Sequence, residues 1–181
     1  VPSSQPGLTA PASAARVNSN VRPHMTSRLG FEALIEAVRR LPYGSIFKIE
    51  GCSGAGKSTL ARAIAEVTRT GLIHVDNYLQ DKKEVDDSVP YVDRIDYRKL
   101  ANSIIAARSN DNGMLIEGIC LHVVLHRLQL EYDAAVYVKR VSSAGIWHDG
   151  IHIEDFCRGV HRNLKEPDLS DMRYHRMHTP H

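Results

Sequence analysis

One segment of this chain constrains its fold more than any other, the run Gly51-Cys52-Ser53-Gly54-Ala55-Gly56-Lys57-Ser58. It matches the pattern G-x-x-x-x-G-K-[ST] at every fixed position. Residues rich in β-formers precede it, and apolar residues at helical spacing follow it. A strand, a glycine-rich turn and a helix in this order direct unpaired backbone N–H groups at one point, where they can bind phosphate oxygens. The segment therefore predicts a phosphate-binding loop.

The loop residues have separate predicted roles toward a nucleoside triphosphate. Glycines allow backbone angles that other residues resist, so successive N–H groups can face the phosphates. Lys57 is expected to reach the β- and γ-phosphates, and Ser58 is expected to place its hydroxyl on Mg²⁺. ATP and Mg²⁺ are thus the predicted cofactors. The predicted nucleotide-binding residues are Gly51, Ser53, Gly54, Ala55, Gly56, Lys57, Ser58 and Thr59.

Length and composition fit one ordinary domain with a sizeable core. The chain has 181 residues, of which 43% are hydrophobic and 24% charged, and its formal net charge is +2. That charge is too small to favour a nucleic-acid or membrane surface, and no apolar stretch is long enough to span a bilayer. The three cysteines are scattered, which favours a reducing compartment over a disulfide framework. We therefore expect a cytoplasmic protein without nucleic-acid or membrane partners.

Apolar periodicity predicts helices that alternate with short strands. Strands are expected over 45–50, 72–75, 114–117 and 134–138, and helices over 31–41, 60–67, 100–107 and 124–128, with a polar helical tail from Ile153 and a long polar loop over 77–97. Such alternation implies right-handed βαβ units. The predicted fold class is α/β, a P-loop NTPase three-layer sandwich with a central, mostly parallel sheet and a helical lid.

The ends of the chain differ in composition from its middle. Residues 1–28 are rich in Ser, Pro and Ala and hold no acidic residue, which predicts a disordered lead. A transit peptide is the alternative, since such peptides are also poor in acidic residues. The P-loop domain would then occupy 29–181, with its lid at about 150–166. The lack of a turn or cap signal at Pro180 and His181 is compatible with a truncated C-terminus.

Other classes of P-loop protein need motifs that this sequence lacks. A GTPase reads guanine with Asn-Lys-x-Asp, and no Asn-Lys pair occurs here. A transporter-type ATPase carries a Ser-Gly-Gly signature, which is also missing. A small kinase remains, and it needs a further acidic residue near the γ-phosphate.

Two carboxylates end predicted strands, where ligands of open α/β sheets bind. Asp76 closes the second strand, and there it could take the proton of an attacking hydroxyl or orient that hydroxyl. Capping a helix is the alternative for Asp76. Glu117 ends the third strand, and it could hold Mg²⁺ directly or through water. A solvent-facing strand end is the alternative for Glu117.

Together these motifs resemble the uridine kinase and phosphoribulokinase-like branch of P-loop kinases. The loop is similar to the family pattern G-x-S-G-[SA]-G-K-[ST]. Asp76-Asn77-Tyr78 resembles its D-[DS]-[FY] segment, and Ile116-Glu117-Gly118-Ile119 resembles its [VFL]-E-G-[IL] segment. Between these two, Val92-Asp93-Arg94-Ile95-Asp96-Tyr97 resembles its F-D-x-P-D-A-F segment. The resemblance covers about 45–138. It implies that Asp76 is the base, that Glu117 helps to hold Mg²⁺, and that Asp76, Tyr78 and Asp93 contact the acceptor. Ile95 stands where the family has proline.

The family closes a basic helical lid over the phosphates. Arg158 and Arg162 are four residues apart, so they would share one face of a helix over 155–164. Guanidinium groups can stabilise the charge of a transferring phosphoryl group. A solvated helix face, balanced by Glu154 and Asp155, is the alternative.

The sequence thus predicts an enzyme that moves the γ-phosphoryl of ATP to a hydroxyl of a small molecule, with a nucleoside or a sugar as candidates. The expected partner is that acceptor, and a homo-oligomer is compatible with the sequence. Two alternatives stay open: an ATP-binding regulatory module that transfers nothing, and a small-molecule kinase of another P-loop branch.

Overall fold

The structure, a computed structural model, describes residues 30–80, 88–108, 113–160 and 164–179. The described helices are α1 (Phe31–Arg39), α2 (Lys57–Thr68), α3 (Tyr97–Arg108), α4 (Leu121–Arg127), α5 (Gly150–Cys157) and α6 (Asp168–His178). The strands are β1 (Ile46–Glu50), β2 (Gly71–His74), β3 (Met114–Gly118) and β4 (Ala134–Tyr137). None of the described helices could cross a bilayer. The lead predicted over 1–28 lies outside the described residues.

The four strands form one parallel sheet in the order β2-β3-β1-β4. In its register, Glu117 lies beside Ile49 of β1 on one side and beside His74 of β2 on the other. The carboxyl ends of all four strands therefore meet at one edge of the sheet. The phosphate-loop segment leaves β1 at that edge, next to the end of β3. The parallel α/β sandwich predicted from the sequence is confirmed.

Helices cover both faces of the sheet. The apolar residues of α1 and α2 pack with Phe47 and Ile49 in one cluster, and those of α3 and α4 pack with Ile46 in another. Successive side chains of a strand point to opposite faces, so β1 supplies both clusters. Helices on both faces explain why the two central strands, β1 and β3, are buried along their whole length.

Two charged residues interrupt the buried strand β1. Lys48 and Glu50 are 6% and 3% exposed, and Lys48 Nζ lies 2.7 Å from Glu50 Oε2. Glu50 Oε1 accepts the Leu121 N–H at 2.7 Å and the hydroxyl proton of Tyr174. The Lys48 amine also lies 4.5 Å from the centre of the Tyr132 ring. Buried charges need such partners, and through them Glu50 connects β1 to α4 and α6.

The predicted lid helix over 155–164 is corrected by the structure. Helix α5 ends at Cys157, because Gly159 adopts a φ of +75° and its N–H bonds to the Phe156 carbonyl. The Val160 N–H bonds to the Asp155 carbonyl, which completes a glycine-based helix stop. A separate helix, α6, begins after Pro167. Within its described residues the tail therefore forms two short helices instead of one.

The long polar loop predicted over 77–97 contains short ordered pieces. Val75–Tyr78 and Tyr91–Asp93 form single 3-10 turns, and Leu79 pairs with Ile95 in an isolated antiparallel bridge. These pieces bring the segment after β2 next to the start of α3. Residues 81–87 lie outside the described part of the chain.

Candidate phosphate-binding site

The predicted loop joins β1 to α2, as the motif requires. Gly54 and Gly56 have φ values of +71° and +93°, which residues with side chains rarely adopt. Gly51 lies so close to the chain leaving β4 that a Cβ atom would stand 2.3 Å from the Val138 carbonyl oxygen. The amino terminus of α2 then faces the loop, and its free N–H groups and partial positive charge favour an anion.

Lys57, the first residue of α2, is buried within the loop. It is 7% exposed, and its Nζ donates a hydrogen bond to the Cys52 carbonyl at 2.8 Å. The amine of Lys57, at the end of the loop, therefore reaches back to the backbone at its beginning. A cation in this place can bind the phosphates of a nucleotide.

Ser58 and Glu117, predicted from separate motifs, lie together. The Ser58 hydroxyl donates to Glu117 Oε1 at 3.0 Å, and the His74 Nδ1 lies 2.6 Å from the same oxygen. Glu117 is only 2% exposed, so it is not a solvent-facing strand end. His74 was not predicted as a site residue, although the sequence places it in the predicted second strand, two residues before Asp76.

This pair fits Mg²⁺. Magnesium prefers hard oxygen ligands, and it usually takes one or two from the protein and the rest from phosphates and water. Ser58 and Glu117 supply two such oxygens beside the loop. Among the described residues no group of three His, Cys, Asp or Glu side chains could hold a metal ion.

Asp76 lies in the 3-10 turn that follows β2, two residues beyond the register partner of Glu117. Its Oδ1 accepts a hydrogen bond from the Tyr91 hydroxyl at 2.6 Å. Burial and the Asp76 carboxylate raise the pKa of Tyr91, so this phenol remains a donor. His74, not Asp76, precedes the turn as its cap. Sequence analysis missed Tyr91, because it lies in a segment interpreted as loop.

The other two predicted acceptor contacts have structural partners. Asp93 is exposed, and its Oδ1 lies 2.6 Å from Arg127 Nη1 of α4. Tyr78 is half-buried against the cluster below α3 and α4, and its carbonyl accepts the Asp96 N–H. Contact of Asp93 and Tyr78 with an acceptor stays a prediction.

The structure gives Arg158 a partner on its own helix. Its guanidinium pairs with Glu154, one turn earlier, and the two side chains are 67% and 60% exposed. This is the solvated arrangement that was the alternative to a lid. Arg162 lies outside the described residues. A lid role for these arginines stays a prediction.

A cavity of about 250 Å³ lies beside the beginning of the phosphate loop. Its lining comes from the loop and from the region of α5 and α6: Cys52, Ser53, Asp149, His152, Leu164, Asp168, Asp171 and Met172. Small-molecule sites typically have about 300 Å³ or more. The cavity is therefore near the lower end of the size that a small ligand needs.

Helix α6 contacts the phosphate loop through buried polar groups that sequence analysis did not find. The Tyr137 hydroxyl lies 2.7 Å from His175 Nδ1 and 3.4 Å from Cys52 Sγ, and it accepts a bond from Thr179 Oγ1 at 3.2 Å. His175 Nε2 lies 2.9 Å from Asp171 Oδ1, an ion-pair distance without hydrogen-bond alignment. His175 is fully buried.

The charge of His175 predicts a dependence of stability on pH. Burial opposes the charged imidazole, but attraction by Asp171 and the contact with Cys52 outweigh it and raise the pKa of His175 to about 9. An unfolded histidine has a pKa of about 6.5. The stabilisation is therefore complete below that value and is lost as pH rises through 9.

We expect the free energy of unfolding to fall by on the order of 2 kcal/mol between pH 7 and pH 10 from this group. Urea unfolding at both pH values measures it. His175→Gln should remove that part of the pH dependence, whereas His126→Gln, on the exposed end of α4, should keep it. An unchanged pH dependence in His175→Gln would contradict the assignment.

Comparisons with known proteins concern the fold. No protein family matches the chain, and no curated protein matches it significantly. A solved structure assigned as a possible uridine kinase from Bacillus stearothermophilus is 15% identical, with a TM-score of 0.46 over 76% of this chain and 95% of that one. Another, assigned as a fructose transport system kinase from Silicibacter sp. TM1040, is 16% identical, with a TM-score of 0.48 over 81% and 93%. Both names denote kinases, and at these identities the likeness is one of fold.

Proposed function

We propose that this protein is an ATP-dependent phosphotransferase that moves the γ-phosphoryl group to a hydroxyl of a small molecule. One observation carries the proposal: Ser58 at the start of α2 donates to Glu117 at the tip of β3, beside a buried Lys57. Asp76, at the tip of the neighbouring strand, is oriented by Tyr91. These are the parts that phosphoryl transfer needs, because the reaction depends on positioning and charge neutralisation.

Each residue has a defined task in such a reaction. The loop N–H groups and Lys57 bind the phosphates and offset their charge. Mg²⁺, when bound by Ser58 and Glu117, supplies further neutralisation of the transferring group. Asp76 accepts the hydroxyl proton of the acceptor or holds that hydroxyl in line with the γ-phosphate. Arg158 and Arg162 are proposed to stabilise the charge of the transferring group when they close over the phosphates.

The acceptor is proposed by class only. The motifs resemble those of kinases that act on nucleosides and sugars. Nothing in the described residues favours the alternative of a regulatory module, since such a module needs no oriented carboxylate at the second strand tip. A small-molecule kinase of another P-loop branch differs only in its acceptor.

An acceptor screen tests the proposal. Purified protein with Mg·ATP is offered nucleosides, sugars and other hydroxyl compounds, and ADP release is measured. A kinase releases ADP only with its acceptor, whereas a regulatory module binds Mg·ATP and releases none. Binding without acceptor-dependent ADP release across the panel would reject the transferase.

Asp76→Asn separates chemistry from nucleotide binding. We expect turnover to fall by about 10²- to 10⁴-fold, because the variant cannot accept the hydroxyl proton. The Kd for Mg·ATP should stay within about twofold, since an uncharged amide leaves the loop intact. Glu36→Gln, which removes an exposed carboxylate on α1, is the matched control and should keep full turnover. Normal turnover in Asp76→Asn would refute the role of this residue.

A further inference from the structure

The Tyr137 hydroxyl contacts three separate parts of the fold. It contacts Cys52 of the phosphate loop, His175 near the end of α6, and Thr179 just after that helix. Cys52 is 3% exposed and His175 is fully buried, whereas Tyr137 and Thr179 are partly buried. Polar contacts that are shielded in part from water are stronger than exposed ones and depend on their geometry.

The loop side of this cluster reaches the phosphate-binding lysine. The carbonyl of Cys52 accepts the hydrogen bond from Lys57 Nζ, and the thiol of the same residue contacts Tyr137. Binding of a polyphosphate would draw the Lys57 amine toward the phosphates and away from the Cys52 carbonyl. The residue that touches Tyr137 is thus the residue that loses a bond when the loop is filled.

The helix side reaches the cavity. Asp171, one turn before His175 and 2.9 Å from its Nε2, lines the cavity together with Asp168 and Met172. Tyr174 attaches the same helix to Glu50, which directly precedes the loop. Helix α6 is therefore both the wall of the cavity and a direct neighbour of the loop.

We propose that Tyr137 and His175 are positioning residues that couple the phosphate loop to α6, so that a polyphosphate in the loop fixes the cavity wall. The coupling rests on the proposed function only in requiring that the loop bind Mg·ATP. It works in both directions, because a ligand that orders α6 must also be bound more tightly when α6 is ordered. The consequence is a cavity beside the phosphate loop whose wall is completed when a nucleotide binds.

Amide hydrogen exchange of the full chain, with and without saturating Mg·ATP, tests the coupling. We expect exchange over 168–178 to slow several-fold on nucleotide binding in the unmodified protein. Tyr137→Phe should remove that slowing and weaken Mg·ATP about fivefold or more, the lower range of measured couplings. Tyr43→Phe, at an exposed tyrosine before β1, is the matched control and should behave as the unmodified protein.

Trp147 gives an independent readout. It is the only tryptophan of the chain, and its ring packs edge-on against Tyr137 with centroids 6.4 Å apart. Its fluorescence should change when Mg·ATP binds, and the change should be lost in Tyr137→Phe. A merely structural role of Tyr137 would lower stability without removing the nucleotide-dependent difference.

The outcomes are distinct. If Mg·ATP binds to the unmodified protein and hydrogen exchange over 168–178 does not change, the coupling is overturned. This test does not depend on whether any variant folds. Full nucleotide-dependent slowing in Tyr137→Phe would overturn the role of Tyr137. If hydrogen exchange slows on Mg·ATP binding but no acceptor is phosphorylated, the proposed kinase function is rejected and the coupling is supported. Absence of Mg·ATP binding would overturn both.

Discussion

Lys57→Ala is expected to lower the rate of phosphoryl transfer by about 10³-fold or more. Removing one preorganised donor from a site of developing negative charge typically costs about 10²- to 10³-fold, and Lys57 contributes a full charge as well. The residue is 7% exposed and its amine bonds within the loop, beside the place where the phosphates would bind. Acceptor-dependent ADP release at saturating Mg·ATP measures the effect.

The control for Lys57→Ala is Lys99→Ala on α3, where the amine is exposed and pairs loosely with Asp96 at 3.4 Å. This control should keep full turnover. Circular dichroism of both variants should match that of the unmodified protein, since neither lysine is a member of the two apolar clusters. Near-normal turnover in Lys57→Ala would refute the assignment of the loop as the catalytic phosphate site.

Glu50→Ala is expected to lower the free energy of unfolding by about 3 to 5 kcal/mol. Removing one partner of a buried ion pair leaves the other charge uncompensated, and losses of that size are typical. Here the Lys48 ammonium would be left 6% exposed, and the Leu121 N–H and Tyr174 hydroxyl would lose their acceptor. Single domains have a total of only about 5 to 15 kcal/mol, so this variant should be close to unfolded at 37 °C.

Urea unfolding measures the Glu50→Ala effect, and two variants bracket it. Glu36→Ala, which breaks an exposed pair with Arg40, should change stability by less than about 1 kcal/mol. Adding Lys48→Met to Glu50→Ala should recover part of the loss, because the uncompensated charge is gone. A loss below about 1 kcal/mol in Glu50→Ala would show that the pair is not held as the structure places it.

Much of the site could be predicted because its signals are local. The loop needs glycine angles at fixed positions, so Gly54 and Gly56 mark it in the sequence itself. The parallel sheet follows from alternating periods, and a parallel sheet puts strand ends at one edge. That is why the sequence alone suggests one metal for Ser58 and Glu117, which are 59 residues apart.

The missed features depend on contacts between distant residues. Tyr137 and His175 are 38 residues apart, and Glu50 and Tyr174 are 124 apart. Nothing in local periodicity pairs such side chains. Lys48 and Glu50 are also atypical of a buried strand. The further partners of Glu50, on α4 and α6, are distant in the sequence, so the sequence does not reveal them. The end of α5 was missed for a different reason. Gly159 is a helix stop signal, but such a signal is recognised where a periodic apolar pattern ends, and the polar tail has no such pattern.

The three glycines of the loop have different reasons to be glycine. At Gly54 and Gly56 an added Cβ would meet no atom within 4 Å, so only the backbone angle excludes a side chain. Asparagine, which tolerates that angle better than most residues, is therefore the least harmful replacement there. At Gly51 the Val138 carbonyl occupies the space itself, so even the smallest side chain would separate the loop from the strand that carries Tyr137. A substitution thus meets only backbone strain at Gly54 and Gly56, but a direct clash at Gly51, where the loop begins.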